Sequence, residues 1–166
     1  MERILTYAAW IVGLALVQVL VLNNIFLFGV ATPFLYIYPI LILNRNLDRN
    51  ILMVIAFAVG LAVDIFSNTP GVNAGASVLI AFMRPGVLRM YAPREEFDDF
   101  EPSIHVLGPW PFLRYALTAL LIHHAALFLL EAFSLTHIGY LSLRIVCSTL
   151  LTTLLVMAIE FIRNRH

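Results

Sequence analysis

The sequence predicts an all-α fold, a polytopic membrane bundle of about six transmembrane helices. Hydrophobic residues make up 61% of the 166 and charged residues only 12%, giving a mean hydropathy of +0.93. The apolar residues fall in blocks near the roughly 20 residues that carry a helix across about 30 Å of hydrocarbon. These blocks run continuously in Leu, Ala, Val, Ile and Met, without the alternation that barrel strands require.

Spans are expected at 4–22, 25–43, 51–66, 70–90, 111–130 and 140–162, within a single integral membrane domain, 1–166. The first block is long and a second follows almost at once, so it reads as a span and not as a cleaved leader. The second carries Pro33 and Pro39 and is either kinked or partly interfacial, which makes five spans the competitor of six. The longest polar segment, 91–110, leaves no room for a soluble domain.

Orientation follows from the arginines, the only strongly basic residues in a chain without lysine. Arg3 precedes the first block, Arg45 and Arg49 lie between the second and third, and Arg89, Arg94 and Arg114 flank the 91–110 loop. Arg163 and Arg165 follow the sixth block, while connections 23–24, 67–73 and 131–139 contain no Arg. Six spans with both termini cytoplasmic satisfy the positive-inside rule throughout. With its arginines assigned to the inner face, the chain has no basic surface for nucleic acid. The single Cys147 cannot form an internal disulfide and reads as a packing residue.

Charges inside spans are costly, about 2.5–3.5 kcal/mol on insertion scales, so each needs a reason. Asp64 lies deep in the third block, Glu131 at the outer end of the fifth and Arg144 near the outer start of the sixth. An Asp64–Arg144 or Glu131–Arg144 pair could link helices; otherwise Glu131 and Arg144 are simply interfacial. Arg84, followed by Pro85 and Gly86, sits roughly 20 Å into the fourth block at 1.5 Å per residue. It either snorkels to the cytoplasmic interface or holds a carbonyl or carboxylate inside, and Pro85 is expected to break or end its helix.

Gly60 and Asp64 are four apart on one helical face, Ser67 to Pro70 make a polar turn, and Gly71, Ala74, Gly75, Ala76 and Ser77 open the next block. Small residues let helix backbones approach closely in lipid. A tight antiparallel hairpin with a carboxylate near its tip is expected, its turn side chains able to cap the fourth helix.

This run, Gly60-x-x-x-Asp64-x-x-Ser67 followed by a Pro/Gly turn and small residues, resembles the central signature of the rod shape-determining MreD family over 60–76. Length and six-span topology agree along the rest. The family often carries a His near the position of Asn73, which puts any role tied to that imidazole in question. The resemblance implies the fold of the S components of energy-coupling-factor transporters. It also implies a non-catalytic scaffold or regulator of cell elongation in the bacterial inner membrane. As partners it implies the bitopic protein MreC, through it a SEDS glycosyltransferase and a class B penicillin-binding protein, and the actin-like MreB. Asp64 would then be an interhelical anchor and Gly60, Gly71 and Gly75 packing points.

The remaining polar residues point to no catalytic, metal or cofactor site. His123 and His124 are adjacent, about 100° apart on a helix, and cannot share a metal as an i,i+4 pair would. They read, like Gln18, as makers of interhelical hydrogen bonds. A carboxylate dyad would need a second deep acid beside Asp64, for which only Glu131 is available. The segment 94–102 packs five acids and two aromatics and is either a solvated loop or a dock for a basic cytoplasmic partner. The other function compatible with the fold is the S component of a vitamin transporter. Against it stand the absence of Ala-x-x-x-Ala in the first block and the short 23–24 connection.

Overall fold

The computed structural model describes residues 2–92, 99–132 and 137–163. Among them the regular structure is helical: α1 (Glu2–Leu20), α2 (Tyr38–Ile42), α3 (Arg49–Ser67), α4 (Val72–Tyr91), α5 (Ile104–Leu107), α6 (Pro109–Ala132) and α7 (Ile138–Arg163). Short 3-10 turns occupy Leu22–Asn24 and Leu35–Ile37. Four helical stretches, Tyr7–Asn24, Arg49–Ser67, Pro109–Ala132 and Ile138–Arg163, are long and apolar enough to cross a membrane. α4 has 20 residues but carries Asn73, Ser77, Arg84 and Arg89 and is not among those four.

The bundle is apolar on its surface and polar within. Along α7, Ser148, Thr149, Thr152, Thr153 and Glu160 are buried, while Leu150, Leu154 and Ile162 are exposed, Leu154 by 69%. In α1 the side chain of Gln18 is fully buried, and Val12, Leu16 and Leu20 face outward. In water this arrangement would expose a large apolar surface; in lipid it places each group in its own solvent. The protein is therefore a helical membrane bundle. α3 packs on α4, α4 on α6, α6 on α7, and α1 on α3.

Local signals set the helix ends. Asp48 caps α3, its carboxylate accepting from the backbone N–H of Asn50 (2.7 Å) and Ile51 (3.3 Å). Asn68 ends α3 in the left-handed conformation (φ 54°), and Gly71 opens α4 at φ 85°. Contrary to expectation, α4 runs through Pro85 and Gly86 to Tyr91. Proline removes one helical hydrogen bond, but Ile80, Ala81, Val87 and Leu88 are all buried around it and hold the helix together.

The second apolar block is not a long helix. After α1 the chain makes a tight turn closed by Leu27 and Ala31, each N–H bonded to the other's carbonyl (2.9 and 3.0 Å), with Phe28 and Gly29 at positive φ. It then runs extended, makes the 3-10 turn and ends in the short α2. Residues 33–43 are buried throughout. Pro33 has no N–H to donate, and Pro39 sits at the start of α2, where a proline is tolerated. The two prolines therefore confine regular helix to α2, and the segment threads the bundle interior.

Candidate functional site

An irregular backbone inside an apolar bundle must find its hydrogen-bond partners within the protein, and the buried polar side chains supply them. Gln18 from α1 accepts from the N–H of Leu35 (2.8 Å) and donates to the carbonyl of Pro33 (2.9 Å). From α7, Ser148 Oγ accepts from the N–H of Thr32 and Thr152 Oγ1 from that of Phe34, each at 3.1 Å. Tyr115 of α6 donates to the carbonyl of Leu41 (2.9 Å).

Arg84 completes this set. It is 2% exposed, so it does not snorkel. Its guanidinium donates to the carbonyls of Leu41, Leu43 and Asn44 and to the hydroxyl of Tyr115. These carbonyls close α2, so a cation sits at a helix C-terminus, where the backbone dipole favours it. Of the two expectations for Arg84, interior binding of carbonyls is the one realised.

The α3–α4 hairpin is built around Asp64, 2% exposed. Oδ1 accepts from Thr69 Oγ1 (2.9 Å), the Asn73 N–H (2.9 Å) and Asn73 Nδ2 (3.0 Å), and Oδ2 accepts from the Ala74 N–H (2.9 Å). A carboxylate from α3 thus caps the first turn of α4, satisfying N–H groups that helix leaves open and meeting its positive end. Gly71, the residue before α4, makes no side-chain cap, so the cap comes from Asp64 with Thr69 in support and not from the turn residues alone. One turn below, a Cβ on Gly60 would lie 2.6 Å from Ala74 Cα and 2.7 Å from Asn73 O, so the helices can touch only at glycine.

The other candidates divide. Ser67 accepts from Asn23 Nδ2 (2.7 Å), tying the hairpin tip to the 3-10 turn that follows α1. Gly75 faces Leu130 of α6 and is a packing point, with a Cβ there 3.3 Å from the leucine methyl. Gly71 is a turn residue and not a packing point, since a Cβ there would meet nothing within 4 Å. Glu131 pairs with Arg144 at 3.2 Å, and Arg144 lies 4.4 Å above the Phe128 ring. Asp64 is engaged by the hairpin, so the alternative Asp64–Arg144 pair is not formed.

From Asp64 a polar chain runs inward: Asn73 accepts from the Tyr36 hydroxyl (3.1 Å), which in turn meets His123 Nε2 (3.0 Å) and Ser77 Oγ (3.4 Å). His124 contacts the Leu120 carbonyl (2.7 Å) and Thr152 Oγ1 (3.3 Å). Each histidine is thus held by its own partners. Among the described residues no three His, Cys, Asp or Glu side chains gather as a metal site.

No local pattern in the sequence marks Glu160. It is fully buried in α7 and accepts from the Tyr38 hydroxyl, the Ile104 N–H (3.1 Å) and Arg163 (2.8 Å). It joins α7, α5 and the threaded segment at the end opposite Asp64. The chain therefore has a second deep acid besides Asp64, but across the bundle, so the two make no dyad. Three residues before Arg163, at the edge of a span, it resembles an ordinary interfacial pair; its fixed partner Tyr38 lies 122 positions away.

At the Asp64 end a cavity of about 360 Å³ opens, lined by Asn23, Asn73, Ser67, Phe34, Glu131 and Arg144 among others. Of the acidic 94–102 segment, 94–98 lie outside the described residues. Phe100 beyond them is buried, with Arg45 over its ring at 5.3 Å and the Arg45 N–H bonded to its carbonyl (2.9 Å). No protein-family model, curated protein or solved structure matches the chain.

Proposed function

We propose that this protein is a non-catalytic scaffold of the cell-elongation machinery in a bacterial inner membrane, related to the MreD family. The observation that carries the reading is the α3–α4 hairpin. Every fixed residue of the signature has a structural task there: Gly60 permits the contact, Asp64 caps α4 and Ser67 anchors the tip to Asn23. A signature spent on rigid packing fits a protein that holds partners in place. The departure at Asn73 fits as well, because its amide bridges Asp64 and Tyr36.

In this reading the chain crosses the membrane six times, once through the threaded 25–43 segment, with both termini cytoplasmic. Its partners are an MreC-like bitopic protein and, through it, a SEDS glycosyltransferase and a class B penicillin-binding protein, with MreB on the cytoplasmic side. The polar cavity at the Asp64 end, with Phe34 and Phe66 in its wall, favours a second reading, the S component of a vitamin transporter.

Affinity purification from the native host, with co-purifying proteins identified by mass spectrometry, separates the two. The scaffold reading expects an MreC-like protein together with a penicillin-binding synthase. Recovery of ATPase subunits with a coupling membrane protein would replace it by the transporter reading.

A further inference from the structure

The cavity at the Asp64 end is large enough for a ligand, since small-molecule sites begin near about 300 Å³. Most polar groups in its wall are already committed. Asn23 donates to Ser67 and accepts from Gln18, and Asn73 and Thr69 donate to Asp64. The charge pair is not closed in the same way. Arg144 reaches Glu131 only at 3.2–3.5 Å, against roughly 2.7–2.9 Å for a well-formed charge-assisted bond. Its Nε is buried with no acceptor, while the Glu131 side chain stays 40% exposed. The guanidinium stacks on Phe128, which fixes its plane and leaves one donor edge unanswered. Arginine in such a place ordinarily meets a carboxylate or phosphate.

We propose that this cavity binds a zwitterion, its anionic group on the loosely paired guanidinium of Arg144 and its ammonium on Glu131. The pair is neutral in sum, so the site favours a ligand carrying both charges over a simple anion. Phe34 and Leu127 give the bound molecule an apolar wall, and Phe66 belongs both to the cavity and to the exposed apolar surface. The site is thus reachable by an aminophospholipid headgroup from the membrane and by a free zwitterion from the aqueous side. The assignment holds under either reading of the protein's role.

Titration calorimetry on the intact protein in an uncharged detergent tests it with three probes: O-phosphoethanolamine, a short-chain phosphatidylethanolamine and glycerol 3-phosphate. Saturable binding of either ethanolamine probe is expected, with glycerol 3-phosphate weaker by about tenfold for want of one charge-assisted bond. Binding of the lipid alone assigns the headgroup; binding of the soluble probe as well assigns the free molecule. Arg144→Gln should weaken binding by about tenfold or more. Glu131→Gln serves if that variant fails to fold: it should abolish the preference for the ammonium-bearing probes. No saturable binding of either ethanolamine probe, undiminished affinity in Arg144→Gln, or an unchanged preference in Glu131→Gln would overturn the proposal.

Discussion

In the α3–α4 hairpin one side chain, Asp64, closes a helix end by accepting two backbone N–H groups from the next helix. Along the segment that threads from α1 to α2 it takes Gln18, Arg84, Tyr115, Ser148 and Thr152, drawn from four other helices. The hairpin is local, its cap nine and ten residues from the groups it serves. The threaded segment is global, the side chains that serve its backbone lying up to 118 residues away. A helix satisfies its own backbone except at its ends; an irregular segment inside a membrane bundle must borrow from its neighbours. The polar interior of this bundle is therefore the counterpart of one non-helical segment, and its loss should act on that segment first.

The largest effect is expected at Arg84. Arg84→Met removes the donor shared by the carbonyls that end α2, and leaving buried acceptors empty should destabilise the bundle by about 3–5 kcal/mol. Thermal unfolding in detergent would register this as a collapse of the folded fraction, and a wild-type melting curve would deny that α2 depends on this side chain. Gly60→Ala comes next. A methyl 2.6 Å from Ala74 Cα forces the helices apart, at a cost of about 1–3 kcal/mol or more. Its effect should be confined to the hairpin, which cross-linking between engineered cysteines on α3 and α4 would reveal as a lower yield.

Asp64 sharpens the comparison. Asp64→Ala should cost about 2–3 kcal/mol through the uncapped α4. Asp64→Asn should recover only part, because both oxygens accept and an amide must turn its NH₂ toward one of the donors. Equal melting temperatures for Asn and wild type would mean that the second oxygen is dispensable. The smallest effects belong to Thr152→Val and Gln18→Leu, about 1–2 kcal/mol each. Each should loosen the threaded segment and spare the hairpin.

The sequence exposed these regions unequally, and for a physical reason. The hairpin is written in adjacent residues: Gly60 and Asp64 share a face, Pro70 and Gly71 mark the turn, and small side chains follow. Even there, the cap by Asp64 was hidden, because nothing local says that a carboxylate will point across the turn and not toward Arg144. The threaded segment is as apolar as a span, and hydropathy does not distinguish a helix in lipid from a strand buried in protein. Pro33 and Pro39 were the only local warnings. Its partners are scattered over α1, α4, α6 and α7, where Thr152 or Ser148 looks like an ordinary small polar residue. Arg84 and Glu160 each lie near the inner end of a helix, and the partners that fix them inside, Leu41, Leu43, Tyr38 and Ile104, are remote in sequence.

Backbone hydrogen exchange at Phe34 and Leu35, followed by mass spectrometry in wild type, Thr152→Val and Gln18→Leu, bears most directly on this account. Side chains of α7 and α1 hold those two N–H groups. Each substitution should speed exchange across peptides covering 32–36 by about fivefold or more, with α3 and α4 unchanged. Protection at 32–36 that is indifferent to both substitutions would mean that the segment carries its own hydrogen bonds, as a continuous helix over 25–43 would, and would contradict the account.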